Sequence, residues 1–275
     1  MSGDLCIGMK LAIPSDARDE LISNVASLAT SANWAPGLRY RAFTVEGGRH
    51  TDRRPGSVKA ASLLNEARDL VADENLSHVR LASAARSTPP YSLLAIRSTI
   101  GVANYKNLSI KALTSWGDGA VRSARWLCDV LEIARVSRAQ AGAATIATFH
   151  HAFSDVLLVG LTLNGAQVHP APEQVTRMQV EEGLLGIRYA CFPRWGTLLS
   201  RAHIDAVGGL GTIVDTVKPA VVTEFDSAVY FQVTPIAEWD TPESLAKQQA
   251  LLGIVEPLLP PPRRLSPEGA ETAAT

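Results

Sequence analysis

Cysteine is scarce in this chain of 275 residues, and its three cysteines stand far apart at Cys6, Cys128 and Cys191. An odd number of distant cysteines does not favour a disulfide framework, and no CxxC pair is present to hold zinc. Buried, reduced thiols are the ordinary state of such residues. The scarcity predicts a fold without covalent cross-links in a reducing compartment, so we expect the protein to be cytoplasmic.

Long apolar runs are missing as well. The longest, residues 156–163, is far shorter than the roughly 18 residues that a membrane span needs. Near the start of the chain, Lys10 interrupts an apolar stretch that no basic segment precedes, so we expect no export signal. Neither secretion nor a membrane partner is expected.

A large excess of charge is also absent, because 26 Lys and Arg residues stand against 27 Asp and Glu residues. A net charge of −1 argues against a dedicated nucleic-acid-binding protein. The distribution is uneven, however: residues 138–275 hold 9 basic and 14 acidic residues, whereas residues 1–137 have a basic excess. This difference reflects either chance or an acidic face that suits a basic partner.

Signatures of common active sites are not found, since the chain has no HExxH, GxSxG, GxGxxG or GxxxxGK[ST] segment. His150, His151 and Asp155 come nearest to a metal site, but adjacent residues of a strand point to opposite faces. We therefore interpret these three residues as a polar strand end. Neither a metal nor another cofactor is expected.

The nucleophile candidates also have ordinary structural interpretations. Ser200, His203 and Asp205 are close in sequence, but on a helix only the first two would be neighbours. We interpret the three as a polar helix face. Cys191 lies in an apolar stretch where a buried, unreactive thiol is the usual case. These interpretations predict a protein without catalytic residues.

Apolar periodicity predicts alternating strands and helices in the first half of the chain. Leu5–Ile13 is predicted to be a strand, and Ser15 can cap the helix that follows. Further strands are predicted at residues 38–45, 79–84, 93–100 and 108–113. Helices are predicted at residues 57–72 and 118–136, and the Gly- and Arg-rich stretch 47–56 is predicted to be a loop.

The second half contains more short elements. Strands are predicted at residues 155–163, 186–192, 220–225 and 228–233, and short helices at residues 195–207 and 210–217. Gly208 and Gly209 supply the left-handed conformation that ends a helix. Thr241 is predicted to cap the last helix, whose apolar face would carry Leu245, Leu252 and Val255.

This order of elements predicts an α+β fold in which helices pack on a mainly antiparallel sheet. We expect a single domain over residues 1–260 and a disordered tail over residues 261–275, which is rich in proline at its start. Both halves show helices among paired strands, so two similar halves with a boundary near residue 140 are the alternative.

One charge feature suggests a binding surface. Between residues 219 and 246 the chain has five acidic residues and no Lys or Arg. Their positions near the ends of strands and helices are partly explained by helix dipoles. The other interpretation is a partner-binding acidic patch made of Glu224, Asp226, Glu238, Asp240 and Glu243.

The C-terminal part of the chain resembles a known family. Residues 194–200 read RWGTLLS, residues 207–209 read VGG, and a strand pair with Gln232 and a closing helix before Pro260 follow. This layout is similar to that of the bacterial type VI secretion immunity proteins, although Val207 stands where that family has Leu before Gly-Gly. The resemblance covers about 65 residues.

The resemblance implies a cytoplasmic, non-enzymatic bacterial protein that binds and neutralises a cognate secreted toxin. It implies no catalytic residue, because the family's motifs are structural. The alternative is a cytosolic enzyme whose active site is assembled from dispersed residues, with His150, His151, Asp155 or Cys191 as candidates. Neither the toxin nor the oligomeric state follows from the sequence.

Overall fold

The computed structural model describes residues 5–14, 17, 38–46, 49–53, 76–83, 92–98, 108–116, 120–148, 161–163, 166–168 and 188–259. Its strands are β1 (Leu5–Ile13), β2 (Leu38–Glu46), β3 (Arg49–Arg53), β4 (Leu76–Ser83), β5 (Ser92–Ser98), β6 (Leu108–Trp116), β7 (Ala141–Thr148), β8 (Leu161–Leu163), β9 (Ala166–Val168), β10 (Gly196–Ser200), β11 (Val221–Glu224) and β12 (Ala228–Gln232). Its α-helices are α1 (Ala120–Val136), α2 (Arg201–Ala206), α3 (Gly209–Val217) and α4 (Pro242–Val255). Short 3-10 turns occupy Ile236–Glu238 and Glu256–Leu258.

Ten of the described strands form one antiparallel sheet in the order β11-β12-β10-β7-β1-β6-β5-β4-β2-β3, and β8 pairs with β9 separately. The strands from before residue 140 lie on one side of the central β1–β7 pair, and those from after it lie on the other. Helix α1 packs against β1 and β6. The predicted α+β fold, with helices on an antiparallel sheet, is thereby confirmed.

Side-chain size and alternation explain the centre of the sheet. In β1, the side chains of Ile7, Met9, Leu11 and Ile13 point to one face, and all four are buried. The neighbouring β7 is built almost entirely from Ala, Gly and Thr. These small side chains let the layers on both faces approach closely, so both faces of β7 belong to the protein interior.

Helix α1 covers the β1 face with an apolar stripe. Trp126, Val130, Ile133 and Ala134 recur at helical spacing, and all are buried. They join one core cluster with the apolar residues of β1, β10 and β12. Burial of the Trp126 indole, one of the largest fully buried side chains, contributes on the order of 2–3 kcal/mol to folding.

The segment that begins at Trp195 forms a strand, so its prediction as the start of a helix is wrong. Gly196–Ser200 pairs with β7 on one side and with β12 on the other, and all five residues are buried. A strand covered on both faces has a continuous apolar run, which periodicity cannot distinguish from a buried helix. The helix starts only at Arg201, with Ser200 as its N-cap.

Two other predicted elements are wrong in part. Arg49–Arg53 lies in the predicted loop but pairs with β2 as strand β3, because backbone pairing at a sheet edge does not require apolar alternation. Residues 190–192, predicted to continue a strand, are buried without belonging to one. Their apolar character reflects burial rather than strand pairing.

The inner face of α4 also differs from the prediction. Ser244, Gln248, Leu251 and Val255 are buried, whereas Leu245 is only half-buried. Gln248 Nε2 donates to Ser244 Oγ at 3.3 Å, which allows two polar residues to occupy the inner face of the helix. The pattern of apolar side chains alone therefore does not predict which face of α4 packs against the protein.

Several local signals did predict the structure correctly. Gly208 and Gly209 adopt positive φ angles of 95° and 90° where the chain passes from α2 into α3, and β11 and β12 form the predicted hairpin. Thr241 caps α4 by accepting the Ser244 N–H at 3.2 Å. Apart from Ala17, the helix predicted after Ser15 lies outside the described residues, as do the helix predicted at residues 57–72 and the tail.

Candidate functional site

The five acidic residues of the proposed patch occupy two separate places. Glu224 and Asp226 lie at the hairpin that joins β11 to β12, before β12 begins. The other three follow the far end of β12, at the start of α4. Because β12 spans five residues, the two places are separated by roughly 13 Å of extended strand. We call them the hairpin acids (Glu224, Asp226) and the helix-start acids (Glu238, Asp240, Glu243).

Two arginine side chains lie near the hairpin acids. Arg201 Nη1 contacts Glu224 Oε2 at 2.8 Å, and its Nη2 donates to the Phe225 carbonyl at 2.9 Å. Arg135 pairs mainly with Glu132, which is the main cause of the raised pKa of Arg135, and Asp226 adds a smaller effect in the same direction. These cations partly neutralise the hairpin acids.

The helix-start acids are supported by a well-defined backbone. The Glu238 carbonyl accepts hydrogen bonds from the hydroxyls of Thr234 at 3.3 Å and Thr241 at 2.9 Å. Glu243 pairs with Lys247 at 2.9 Å, and Asp240 is half-buried. The Glu238 side chain is exposed. Within the described residues its carboxylate has no ion-pair partner, so it is the most available of the helix-start acids.

The structure brings Ser200 and His203 together but does not assemble a triad. The Ser200 hydroxyl accepts the His203 backbone N–H at 3.2 Å, so it serves as a helix cap. Both side chains are buried, which corrects the interpretation as a polar helix face, while Asp205 is exposed. Burial lowers the pKa of His203, and a backbone hydrogen bond at Arg188 opposes this effect.

Cys128 and Cys191 differ in their exposure to solvent. Cys128 on α1 is exposed, so the expectation of a buried thiol is wrong there, whereas Cys191 is buried beside Ala12, Ala141 and Ala143. Arg194 is buried nearby; burial lowers its pKa to about 10, and Cys191 acts in the opposite direction. The Cys191 thiol is therefore part of a packed layer of the protein.

The remaining candidates for an enzyme are not placed by the structure. His150, His151 and Asp155 lie outside the described residues. Within the described ranges, no three His, Cys, Asp or Glu residues come together as a metal site would require. None of the helices described is long and apolar enough to cross a bilayer.

A protein of known structure has a similar fold. No protein family matches this chain, and no curated protein is similar to it in sequence. A T6SS (type VI secretion system) protein of Pseudomonas aeruginosa, PA0821, has a similar structure, with a TM-score of 0.54 over 94% of this chain and 74% of that protein. The two sequences are 13% identical, so the likeness concerns the fold alone.

Proposed function

We propose that this protein is a non-enzymatic immunity protein of a bacterial type VI secretion system, which binds a cognate toxin in the cytoplasm and neutralises it. The observation that carries the proposal is the fold shared with a T6SS protein over most of the chain. The resemblance of residues 194–260 to the immunity family rests on sequence motifs, and it points to the same system.

Features of the described residues agree with a binding function. Ser200 is engaged as a helix cap, and Cys191 is buried in the sheet layer. Because both side chains are buried, a substrate in solution cannot contact them. Toxin inhibition needs only a complementary surface that blocks the toxin's active site. These observations support binding over an active site that uses Ser200 or Cys191.

The helix-start acids are the part of the acidic patch best suited to a basic toxin surface. Glu238 is exposed, and its backbone carbonyl is fixed by two threonine hydroxyls. A carboxylate on a rigid backbone loses little conformational freedom on binding. The hairpin acids, in contrast, already lie near Arg201 and Arg135.

The test is co-expression with the product of the neighbouring toxin gene, followed by copurification and a growth assay. We expect the toxin to arrest growth alone, and to copurify with this protein and lose its toxicity when both are present. Absence of both rescue and copurification would refute the immunity function for that pair.

A charge reversal then tests the surface. Glu238→Lys should weaken toxin binding tenfold or more, about 1.4 kcal/mol, because it places a cation opposite a basic surface. Asp215→Lys makes the same change of charge at an exposed position of α3 and should bind normally. Equal affinities of the two variants would remove the helix-start acids from the interface.

A further inference from the structure

Strand β11 is an edge of the ten-stranded sheet, and both of its valines are exposed. Val221 is 40% exposed and Val222 is 37% exposed, and they are the two large apolar residues that stand out in this way among the described residues. Because neighbours in a strand point to opposite faces, each face of the edge carries one valine. The opposite edge, β3, reads Arg-His-Thr-Asp-Arg, and such charges discourage pairing with another strand.

The backbone of β11 offers hydrogen-bonding groups at this edge. The Phe225 N–H donates to the Ala228 carbonyl at 2.8 Å, so Phe225 and, two residues earlier, Thr223 direct their backbone groups towards β12. Val222 and Glu224 then direct theirs away from β12. Among the described residues, no strand lies on that side.

A second copy of β11 fits this edge when it runs antiparallel. If Thr223 lies opposite Thr223 of the second copy, Val222 of each chain lies opposite Glu224 of the other. The backbone groups of Val222 and Glu224 both point away from β12 and therefore towards the second copy. Such a pair exchanges two N–H to C=O hydrogen bonds. The same register places the exposed Val221 opposite Phe225, whose side chain is buried in the core. Thr–Thr pairs are favourable across strands.

The charges along the edge suit the same arrangement. Exposed Lys218 precedes β11, and exposed Asp226 follows it. In an antiparallel pair, the basic end of each strand lies near the acidic end of the other. A parallel copy would instead bring like charges together, which is unfavourable.

We propose that two copies of this chain associate by antiparallel pairing of their β11 strands about a two-fold axis at Thr223. The contact is isologous, since the same surface of each chain forms both sides. The edge is only four residues long, so the dimer is weak and forms as concentration rises. This association is independent of toxin binding.

Sedimentation velocity of the isolated full chain over a wide range of concentration tests the association. We expect a reversible shift from monomer to dimer. Thr223→Lys and Thr223→Glu should each be monomeric, because like charges would meet at the axis, and their equimolar mixture should dimerise again. A wild-type chain that stays monomeric throughout, or charged variants that dimerise as well as it does, would overturn the proposal.

A cross-link tests the register with a smaller substitution that preserves the fold. Thr223 faces its counterpart in a non-hydrogen-bonded pair, with Cα atoms about 4.5 Å apart, a distance that a disulfide spans. In a Cys128→Ser background, Thr223→Cys should oxidise to a disulfide-linked dimer on a non-reducing gel. Thr216→Cys, exposed on α3, should remain monomeric. Equal cross-linking of the two would exclude pairing at β11.

Discussion

For His203, the sequence predicts the right element, a helix, but the wrong environment for the side chain. Its position between Ser200 and Asp205 predicts a polar helix face, but the side chain is only 4% exposed. Its backbone N–H donates to the Ser200 hydroxyl, which caps the first turn of α2. Burial of this kind depends on which elements meet, and residues distant in sequence decide that.

Burial of His203 makes stability depend on pH. Its pKa in the folded protein lies below the ordinary value of 6.5, because burial disfavours the charged imidazolium. As pH falls below 6.5, the unfolded chain takes up a proton before the folded chain does, so the free energy of unfolding decreases. We expect this contribution to be lost between the ordinary pKa and the lower pKa of the folded state.

The variant His203→Gln removes this titrating group and so isolates its contribution to the pH dependence of stability. Urea denaturation at several pH values from neutral to mildly acidic should show a smaller loss of stability for the variant than for the wild type. Other groups titrate equally in both proteins, so the difference belongs to His203. Parallel stability curves would mean that His203 can be protonated in the folded protein without cost.

At the scale of elements, local chemistry predicts ends and turns better than it predicts buried interiors. The sequence predicts Thr241 as the cap of the last helix, Gly208 as the end of a helix and a strand pair around Asp226, and the structure has all three. These features depend on neighbouring residues. The local sequence does not predict strand β10, because the conformation of this strand depends on its pairing with β7 and β12.

Gly196 shows how closely β10 approaches its neighbours. A Cβ atom added at this position would lie 2.5 Å from Tyr230 Oη and 2.8 Å from Ala144 Cβ. Tyr230 is fully buried, and burial raises its pKa, so the ring has no open space to move into. We expect Gly196→Ala to lower the free energy of unfolding by about 1–3 kcal/mol, measured by urea denaturation.

A matched control uses another glycine. Gly211 lies within α3, and an added Cβ would meet no atom within 4 Å. Gly211→Ala should therefore stabilise the protein by about 0.5–1 kcal/mol, because alanine is the better helix former. If Gly196→Ala were also neutral or stabilising, the close packing of Tyr230 over β10 would be wrong.

At the scale of the whole molecule, the fold class follows from the order of elements, but the arrangement of the strands does not. Strand β1, which begins at Leu5, pairs with β6, which begins at Leu108, and with β7, which begins at Ala141. Apolar patterns indicate that such strands need partners without saying which ones. The acidic patch shows the same limit of prediction from sequence: its five residues are near in sequence, yet β12 separates them into two groups.

Because the central β1–β7 pair joins the two halves of the sheet, we expect the whole sheet to unfold as a single cooperative unit. Ile7 and Ile146 face each other across this pair, and both are buried. Ile146→Ala should lower the free energy of unfolding by about 2–5 kcal/mol, and tryptophan fluorescence and far-UV circular dichroism should report the same lowered midpoint. Val222→Ala, an exposed truncation of a similar kind, should change stability by less than about 0.5 kcal/mol. Separate transitions in the two signals would instead place a domain boundary near residue 140, because each half of the sheet would then unfold without the other.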